Sequence, residues 1–352
     1  MSSVVINTSF MFQAILASVI LTLGSGWLGI KLARRFNLLD MPGAAPHKLH
    51  RAPMPYAGGI ALAITMTALI LVSGLWKSHE ILELFFPAAI IFIFGLWDDK
   101  SNLSPSIKFA GQFLAAVLLI ASGVSIRVFE YGGFYIGGPH LIYKVFDWFL
   151  TVLWVVGVTN AFNLVDSMDG LAVGLSAWAF AFFMLATFDS QQITLSILSS
   201  ILLGICIGLY FYNASPARLF LGDAGAQTLG FLLAVIAILY TPVQSYQASS
   251  WFVPILLVGI PIFDTTLVVV SRLRRGIPFY QGGRDHTYHR LICLGLDEGR
   301  AVMMMHGTAL LLECVAFIAI SQQPLLANGL FVTCIVLGGL GIVYLDSRRR
   351  WS

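Results

Sequence analysis

The stretch NAFNLVDSMDGLAVG, residues 160–174, sets two carboxamides and two carboxylates into an otherwise apolar chain and follows them with glycine. On either side the sequence returns to apolar runs, roughly 145–162 and 170–188, each long enough to cross a hydrocarbon core about 30 Å thick. A charged Asp at mid-bilayer costs roughly 2.5–3.5 kcal/mol even on a lenient insertion scale, so this cluster implies a helix end, a wet cavity or a bound cation. If the helix of the first run continues past Val165, then Asn163, Asp166 and Asp169 share one acidic face at a three-residue spacing. An Asn/Asp/Gly cap and turn is the purely structural alternative. The other polar islands decide between them.

The chain has 352 residues, 58% hydrophobic and only 11% charged, where a soluble domain carries about 25% charge. This composition predicts an all-α integral membrane protein: one polytopic domain over residues 1–352, a bundle of about eleven transmembrane helices with its active-site loops on the cytoplasmic side. The expected spans are roughly 10–32, 57–75, 81–97, 107–123, 145–162, 170–188, 193–211, 225–241, 251–271, 301–320 and 325–345. The first ten residues carry no positive charge, while Lys31, Arg34 and Arg35 follow the first run, which argues for an outside N-terminus and against a cleaved signal peptide. Threaded that way, 17 of the 20 Lys and Arg residues fall inside, with Lys77, Arg127 and Lys144 outside; basic residues collect in cytoplasmic loops, so the C-terminus is expected inside, in a multi-pass protein of the cytoplasmic (inner) membrane. The formal charge of +3 says little about partners, and no nucleic-acid partner is expected. The four cysteines have no CxxC spacing and read as packing residues.

Five more islands follow in order. The loop 38–59 carries prolines, histidines, Lys48 and Arg51, and is either a positive-inside anchor or a basic lip for an anionic lipid or nucleotide. Asp98 and Asp99 abut the end of the third span, Pro105 opens the next helix, and Lys108 lies in its first turn. Adjacent carboxylates repel unless a cation or a shared proton joins them. In 211–230 the turn Gly222-Asp223-Ala224-Gly225 brings one carboxylate to a helix start, as an N-cap, or leaves backbone N–H groups exposed for phosphate oxygens. Asp264, near Pro261, either satisfies a prolyl kink or lines the cavity. In 272–300, His286, His289 and Arg290 would face one way in a helical turn. No further Cys or His is spaced to complete a zinc site, and an arginine-flanked histidine pair suits an anionic phosphate. The outer loop 125–143 reads as a small hairpin, and His79, His140 and His306 read as structural or surface residues.

With those residues in view, the chain resembles the polyprenyl-phosphate N-acetylhexosamine-1-phosphate transferase family along essentially its whole length, on the ordered motifs HKLHRAPMPYAGG, GLWDDK with Lys108 downstream, NAFNLVDSMDGLAVG, YNASPARLFLGDAG, PIFDTT and DHTYHRL. The last motif is similar to that of the bacterial undecaprenyl-phosphate GlcNAc-1-phosphate transferases. Ser167 and Met168 stand where the family usually has Gly and Ile or Leu, and His47 where Arg is frequent, departures that bear on the donor sugar more than on the reaction. The resemblance implies transfer of a sugar 1-phosphate, GlcNAc-1-phosphate first and another UDP-N-acetylhexosamine as the alternative, from a UDP-sugar to undecaprenyl phosphate with release of UMP. It places Mg²⁺ ligands, with Mn²⁺ as the substitute ion, on Asn163 and Asp223. Asp98, Asp99 and Asp166 become the candidate catalytic carboxylates, and Lys108, Asp169, His286, His289 and Arg290 the candidate substrate contacts. A homodimer is the one protein partner entertained.

Both reactants of such a transfer are anions, so charge neutralisation is its central problem. Mg²⁺ prefers oxygen ligands and keeps water while bridging phosphates, and Lys108 and Arg290 can stabilise charge on the transferring group. A phosphate monoester with a second pKa near 6 is already mostly dianionic at pH 7, so an Asp with reference pKa about 3.9 offers little as a base. Asp98 and Asp99 therefore position metal or acceptor, or one of them forms an aspartyl-phosphate. A transporter or channel is the rival class; it predicts ionisable residues through the membrane depth or short interrupted spans in matching halves.

Overall fold

The computed structural model describes residues 2–42, 52–129, 140–242, 250–278 and 283–347. Within them the chain is helical: α1 (Ser2–Arg35), α2 (Gly58–Ser73), α3 (His79–Ser101), α4 (Pro105–Ala121), α5 (His140–Val165), α6 (Leu171–Asp189), α7 (Ile193–Asn213), α8 (Gly222–Leu239), α9 (Val253–Leu257), α10 (Gly259–Arg275), α11 (Thr287–Cys293), α12 (Glu298–Ile320) and α13 (Pro324–Ser347). The strands among the described residues are a two-residue antiparallel pair, β1 (Leu39–Asp40) with β2 (Met54–Pro55). Among the described residues, eight helices are long and apolar enough to cross a membrane.

Three of the eleven expected spans depart from full-length helices. Helix α2 has 16 residues and α4 has 17. The span expected over 251–271 is two helices, because Pro254 sits in the first turn of α9 and Pro261 follows the break at Val258. Pro105, with no N–H to satisfy, opens α4 as expected.

Helix α8 is the axis of the bundle. It packs against α2, α3, α5 and α6, and 83% of its apolar window is buried, against 6% for the peripheral α13. Helix α13 instead turns Leu325, Val332 and Leu340 outward, the pattern of a helix solvated by lipid. This is a multi-pass membrane protein.

Two carboxyl groups inside apolar runs were not anticipated by the sequence pattern. Asp147, near the start of α5, accepts hydrogen bonds from Val128 N and Phe129 N at 3.0 and 2.9 Å, anchoring the segment before the loop. Glu313, mid-way along α12, is fully buried, with neither side-chain oxygen hydrogen-bonded. The expected hairpin turn, at 130–139, lies outside the described residues, as do His47, Lys48 and Arg51 of the basic loop.

Candidate active site

Four helix ends meet at one place. The C-terminal turn of α3 brings Asp98, the first turn of α4 brings Lys108, the last turn of α5 brings Asn163, and the first turn of α8 brings Asp223. Lys108 Nζ donates to Asp223 Oδ2 at 2.8 Å and is ion-paired with Asp98 Oδ2, so one ammonium lies between two carboxylates. Asp223 Oδ2 also accepts from Asn163 Nδ2 at 3.4 Å and Gln227 Nε2 at 3.1 Å. The Lys108 and Asp223 side chains remain 29% and 26% exposed, so a ligand can reach them from outside the bundle.

Asp98 and Asp99 face different partners. Asp98 is buried, and its Oδ1 accepts from Leu103 N at 2.6 Å, closing the turn after α3. Asp99 accepts from Asp223 N at 2.6 Å and Ala224 N at 3.2 Å, one oxygen to each. It therefore caps α8 from another helix, where no side chain of α8's own N-cap, Leu221, does so. Two earlier alternatives for 222–225 are corrected by this geometry: Asp223 does not cap its own helix, and those two N–H groups are not free for phosphate.

The glycines of these motifs explain the approach. A Cβ on Gly95 would stand 2.5 Å from Ala224 Cα, and one on Gly222, whose φ is +70°, would stand 2.5 Å from Asp99 Oδ2. Only glycine lets α3 and α8 come backbone to backbone there. The PYAGG segment braces the same turn from the other side, with Phe220 N donating to Pro55 O at 3.0 Å and Gly58 N and Gly59 N to Phe220 O and Leu221 O, both at 3.0 Å. Tyr56 in that segment is hydrogen-bonded to Asp40 and lies near Asp99 and Asp223, and burial with Asp40's charge raises its phenol well above the ordinary value.

Helix α5 stops at Val165, so the expected three-residue face does not continue through Asp166 and Asp169; residues 166–170 form turns instead. Ser167 and the glycine ahead break the pattern, Gly170 adopting φ +77°. Asp169 Oδ2 accepts from Ala217 N at 2.9 Å, and Asn213 Oδ1 accepts from Gly170 N at 3.1 Å, joining this turn to the loop before α8. Asp166 faces the acidic group: desolvation, with the charges of Asp223 and Asp169 nearby, pushes its carboxyl up to about 8. In this setting the carboxyl favours its protonated form at neutral pH.

The histidine loop forms a neighbouring cluster. His286 is the N-cap residue of α11, outside the helix, so it does not share a helical face with His289 and Arg290. Asp264 bridges to it, Oδ2 to His286 Nδ1 at 2.8 Å and Oδ1 to Thr287 N at 2.6 Å. Asp264 thus caps α11 and orients His286, which is neither of the roles expected for it. Arg290 is fully buried and donates to Asp285 O, Leu345 O and Asp346 Oδ1 at 2.9, 3.2 and 3.3 Å. It faces the core and braces α11 on α13. Asp285 takes Arg272 in a two-point pair at 2.9 and 2.6 Å and Arg275 at 2.6 Å. Desolvation alone would raise its carboxyl, but these guanidinium partners bring it down to about 2. Desolvation, with His286 and Arg284 nearby, pushes His289 down to about 4, so it is uncharged at neutral pH. Tyr288 contacts the Ser167 side chain, which places this loop beside the 166–170 turn. His306, read as structural or surface, has its Nε2 3.1 Å from Leu171 O.

A layer of amides lies beneath the charged group. Gln227 Oε1 accepts from Gln112 Nε2 at 3.0 Å, Gln112 Nε2 also reaches Asn160 Oδ1 at 3.3 Å, and Asn160 Nδ2 donates to Gln112 Oε1 at 2.5 Å and Val156 O at 2.9 Å. The sequence carried a signal for it: Gln112 and Gln227 stand four residues after Lys108 and Asp223, and Asn160 three before Asn163, each one helical turn deeper on the same face.

Among the described residues no three Cys, His, Asp or Glu side chains are gathered as a closed metal cage. A Mg²⁺ ion bound largely through phosphates and water needs only one or two protein oxygens. The fit rests on the carboxylates of Asp98 and Asp223, hard oxygen donors that already hold a positive charge, the Lys108 ammonium, between them. Asn163 presents its amide to the same Asp223 oxygen, and turning that amide over brings its Oδ1 there instead.

The family described as glycosyl transferase family 4 matches residues 81–241, a span that takes in Asp98 through Asp223 and ends before Asp264 and the histidine loop. A probable undecaprenyl-phosphate N-acetylglucosaminyl 1-phosphate transferase of Bacillus subtilis (strain 168) is 31% identical over 280 residues, 78% of this chain and 75% of the relative. A decaprenyl-phosphate N-acetylglucosaminephosphotransferase of Mycolicibacterium smegmatis is 30% identical, over 82% of this chain and 77% of its own. An undecaprenyl-phosphate alpha-N-acetylglucosaminyl 1-phosphate transferase of Escherichia coli (strain K12) is 26% identical, over 82% and 78%.

Proposed function

Because the chain belongs to the polyprenyl-phosphate N-acetylglucosamine-1-phosphate transferase family, we propose that it transfers GlcNAc-1-phosphate from UDP-GlcNAc to undecaprenyl phosphate, releasing UMP. An oxygen of the lipid phosphate attacks the phosphorus that carries the sugar, the bond from that phosphorus to the UMP oxygen breaks, and the product is a lipid-linked sugar pyrophosphate. The observation that carries this reading is the Lys108 ammonium held between Asp98 and Asp223 at a reachable junction of helix ends. Two anions must be brought together there, and Lys108 is the cation placed to meet them.

Mg²⁺, held by Asp223 and Asn163, would supply charge neutralisation across the phosphates. The chain's own residues do the rest. Asp98 and Asp223 fix the direction of Lys108, Asp166 offers a proton to a phosphate oxygen, and His286, oriented by Asp264, has its second ring nitrogen left for substrate. Asp99 spends one oxygen on each of two backbone N–H groups, which supports a single displacement over a route through an Asp99 phosphate. No proton needs removing from the mostly dianionic acceptor at pH 7. Purified protein with undecaprenyl phosphate, Mg²⁺ and UDP-GlcNAc is expected to release UMP and form the lipid product. Turnover with a different UDP-N-acetylhexosamine alone would keep the reaction and overturn the donor; no UMP from any of them would overturn both.

The same reading puts the site on the cytoplasmic side of the cytoplasmic membrane, N-terminus outside and C-terminus inside. Support comes from the 17-to-3 distribution of the 20 basic residues and from the mutual contacts of Asp98, Lys108, Asn163 and Asp223, which require one shared side. Reporter fusions after Asp99, Asp169, Asp223 and His289 are expected to read cytoplasmic in every case. One periplasmic signal among them would break the shared site.

A further inference from the structure

We propose that Gln112, Gln227 and Asn160 are positioning residues: a directional amide relay that keeps a hydrogen-bond donor aimed at Asp223. The inference rests on the reading of Asp223 as a metal-binding carboxylate, and extends it to residues that touch no substrate. Its starting point is Val156 O, a backbone carbonyl that can only accept. Because Asn160 Nδ2 donates to it at 2.9 Å, the polarity of Asn160 is set. Asn160 Nδ2 then also donates to Gln112 Oε1 at 2.5 Å, which turns Gln112 Nε2 toward Gln227 Oε1 at 3.0 Å. Gln227 is left with its Nε2 pointing at Asp223 Oδ2, 3.1 Å away.

No other set of amide orientations satisfies this chain. Reversing Gln112 alone would put oxygen against oxygen at Gln227 and nitrogen against nitrogen at Asn160. Gln112 and Gln227 are 1% and 2% exposed, so water cannot repair a mismatch. The relay spans α5, α4 and α8, the helices that also carry Asn163, Lys108 and Asp223. It therefore holds those three helix ends in register while fixing which Asp223 oxygen is occupied from below.

The test is a coupling experiment with Gln112→Met, Gln227→Met and the double variant. Methionine keeps length and apolar bulk, and in Gln227→Met the Gln112 amide still has Asn160 as partner, so that variant leaves no buried amide without one. Gln112→Met leaves Gln227 Oε1 without its donor, so the Gln227 amide loses its anchor from below and its hold on Asp223 Oδ2 weakens. Two readouts are taken on detergent-solubilised full-length protein: UMP release, and Mn²⁺ affinity without substrates by electron paramagnetic resonance of the free ion. Outer-shell partners of a metal ligand typically contribute about 10–100-fold, so each single variant is expected to lose about tenfold or more in both readouts. The double variant should be no worse in Mn²⁺ affinity than Gln227→Met, because Gln112 reaches Asp223 only through Gln227.

Equal loss in both readouts with non-additivity sustains the relay. Additive losses, or Gln112→Met with unchanged Mn²⁺ affinity and turnover, overturn it. If Gln112→Met does not fold, Gln112→Glu replaces it; a protonated Glu retains the donor toward Gln227, and full activity there with loss in Gln227→Met supports the relay, while loss in Gln112→Glu and none in Gln227→Met refutes it. Absence of Mn²⁺ binding in the unsubstituted protein would instead overturn the metal reading, and the relay would then stand or fall on the coupling of UMP release.

Discussion

Asp223→Asn is expected to fold and melt like the unsubstituted protein while losing about three orders of magnitude in UMP release. Stability is spared because the N–H groups at the start of α8 are capped by Asp99, one oxygen each on Asp223 N and Ala224 N, and not by Asp223 itself. The asparagine oxygen can still accept from Lys108 and Gln227, which reach the aspartate at 2.8 and 3.1 Å. Activity is lost because the neutral amide gives up the charge that holds Lys108 and attracts a divalent cation, and preorganised charge in such a site typically contributes on the order of 10²–10³ per group. Thermal melting and UMP release on the same preparation check both halves. Wild-type turnover at low millimolar Mg²⁺ would remove Asp223 from the chemistry.

The separation of those two effects could not be read from residues alone. At Gly222-Asp223 the sequence offers a carboxylate at a helix start, and a cap and a ligand look the same there. What decides it is a carboxylate from α3, 124 residues away in the chain. The membrane class, the order of the polar islands and most helix positions were legible, because a chain with 58% hydrophobic residues has few other ways to distribute its charges. The continuation of α5 past Val165 was not. Three-residue spacing is equally compatible with a helical face and with a turn, and Gly170 at positive φ settles it as a turn.

Arg290 makes the same point in the other direction. Its place in DHTYHRL suggests a phosphate contact, yet it is buried and bonded to Asp346 and two backbone carbonyls. Its Nε and Nη1 groups are engaged by the protein, so in this structure Arg290 holds α11 against α13. Conversely Gln112 and Gln227 sit in apolar runs and attract no notice until the helices are assembled. Only the four-residue offset from Lys108 and Asp223 could have found them.

Asp99→Ala is expected to be the most damaging single change to folding at this site, for a reason unconnected with the reaction. It strips the acceptors from Asp223 N and Ala224 N, held at 2.6 and 3.2 Å, at the first turn of the most buried span. A buried N–H left without a partner costs about 1–3 kcal/mol, and both of these N–H groups lose theirs at the close approach of α3 to α8. The expected order of melting temperature in detergent is wild type, then Asp99→Asn, then Asp99→Ala, since asparagine keeps one accepting oxygen for Asp223 N but turns an amide toward Ala224 N. Activity per folded molecule should fall with that order, because the turn that presents Asp223 loosens with its cap. An Asp99→Ala protein that melts with the wild type and is nonetheless inert would reverse the assignment, making Asp99 a participant in the transfer.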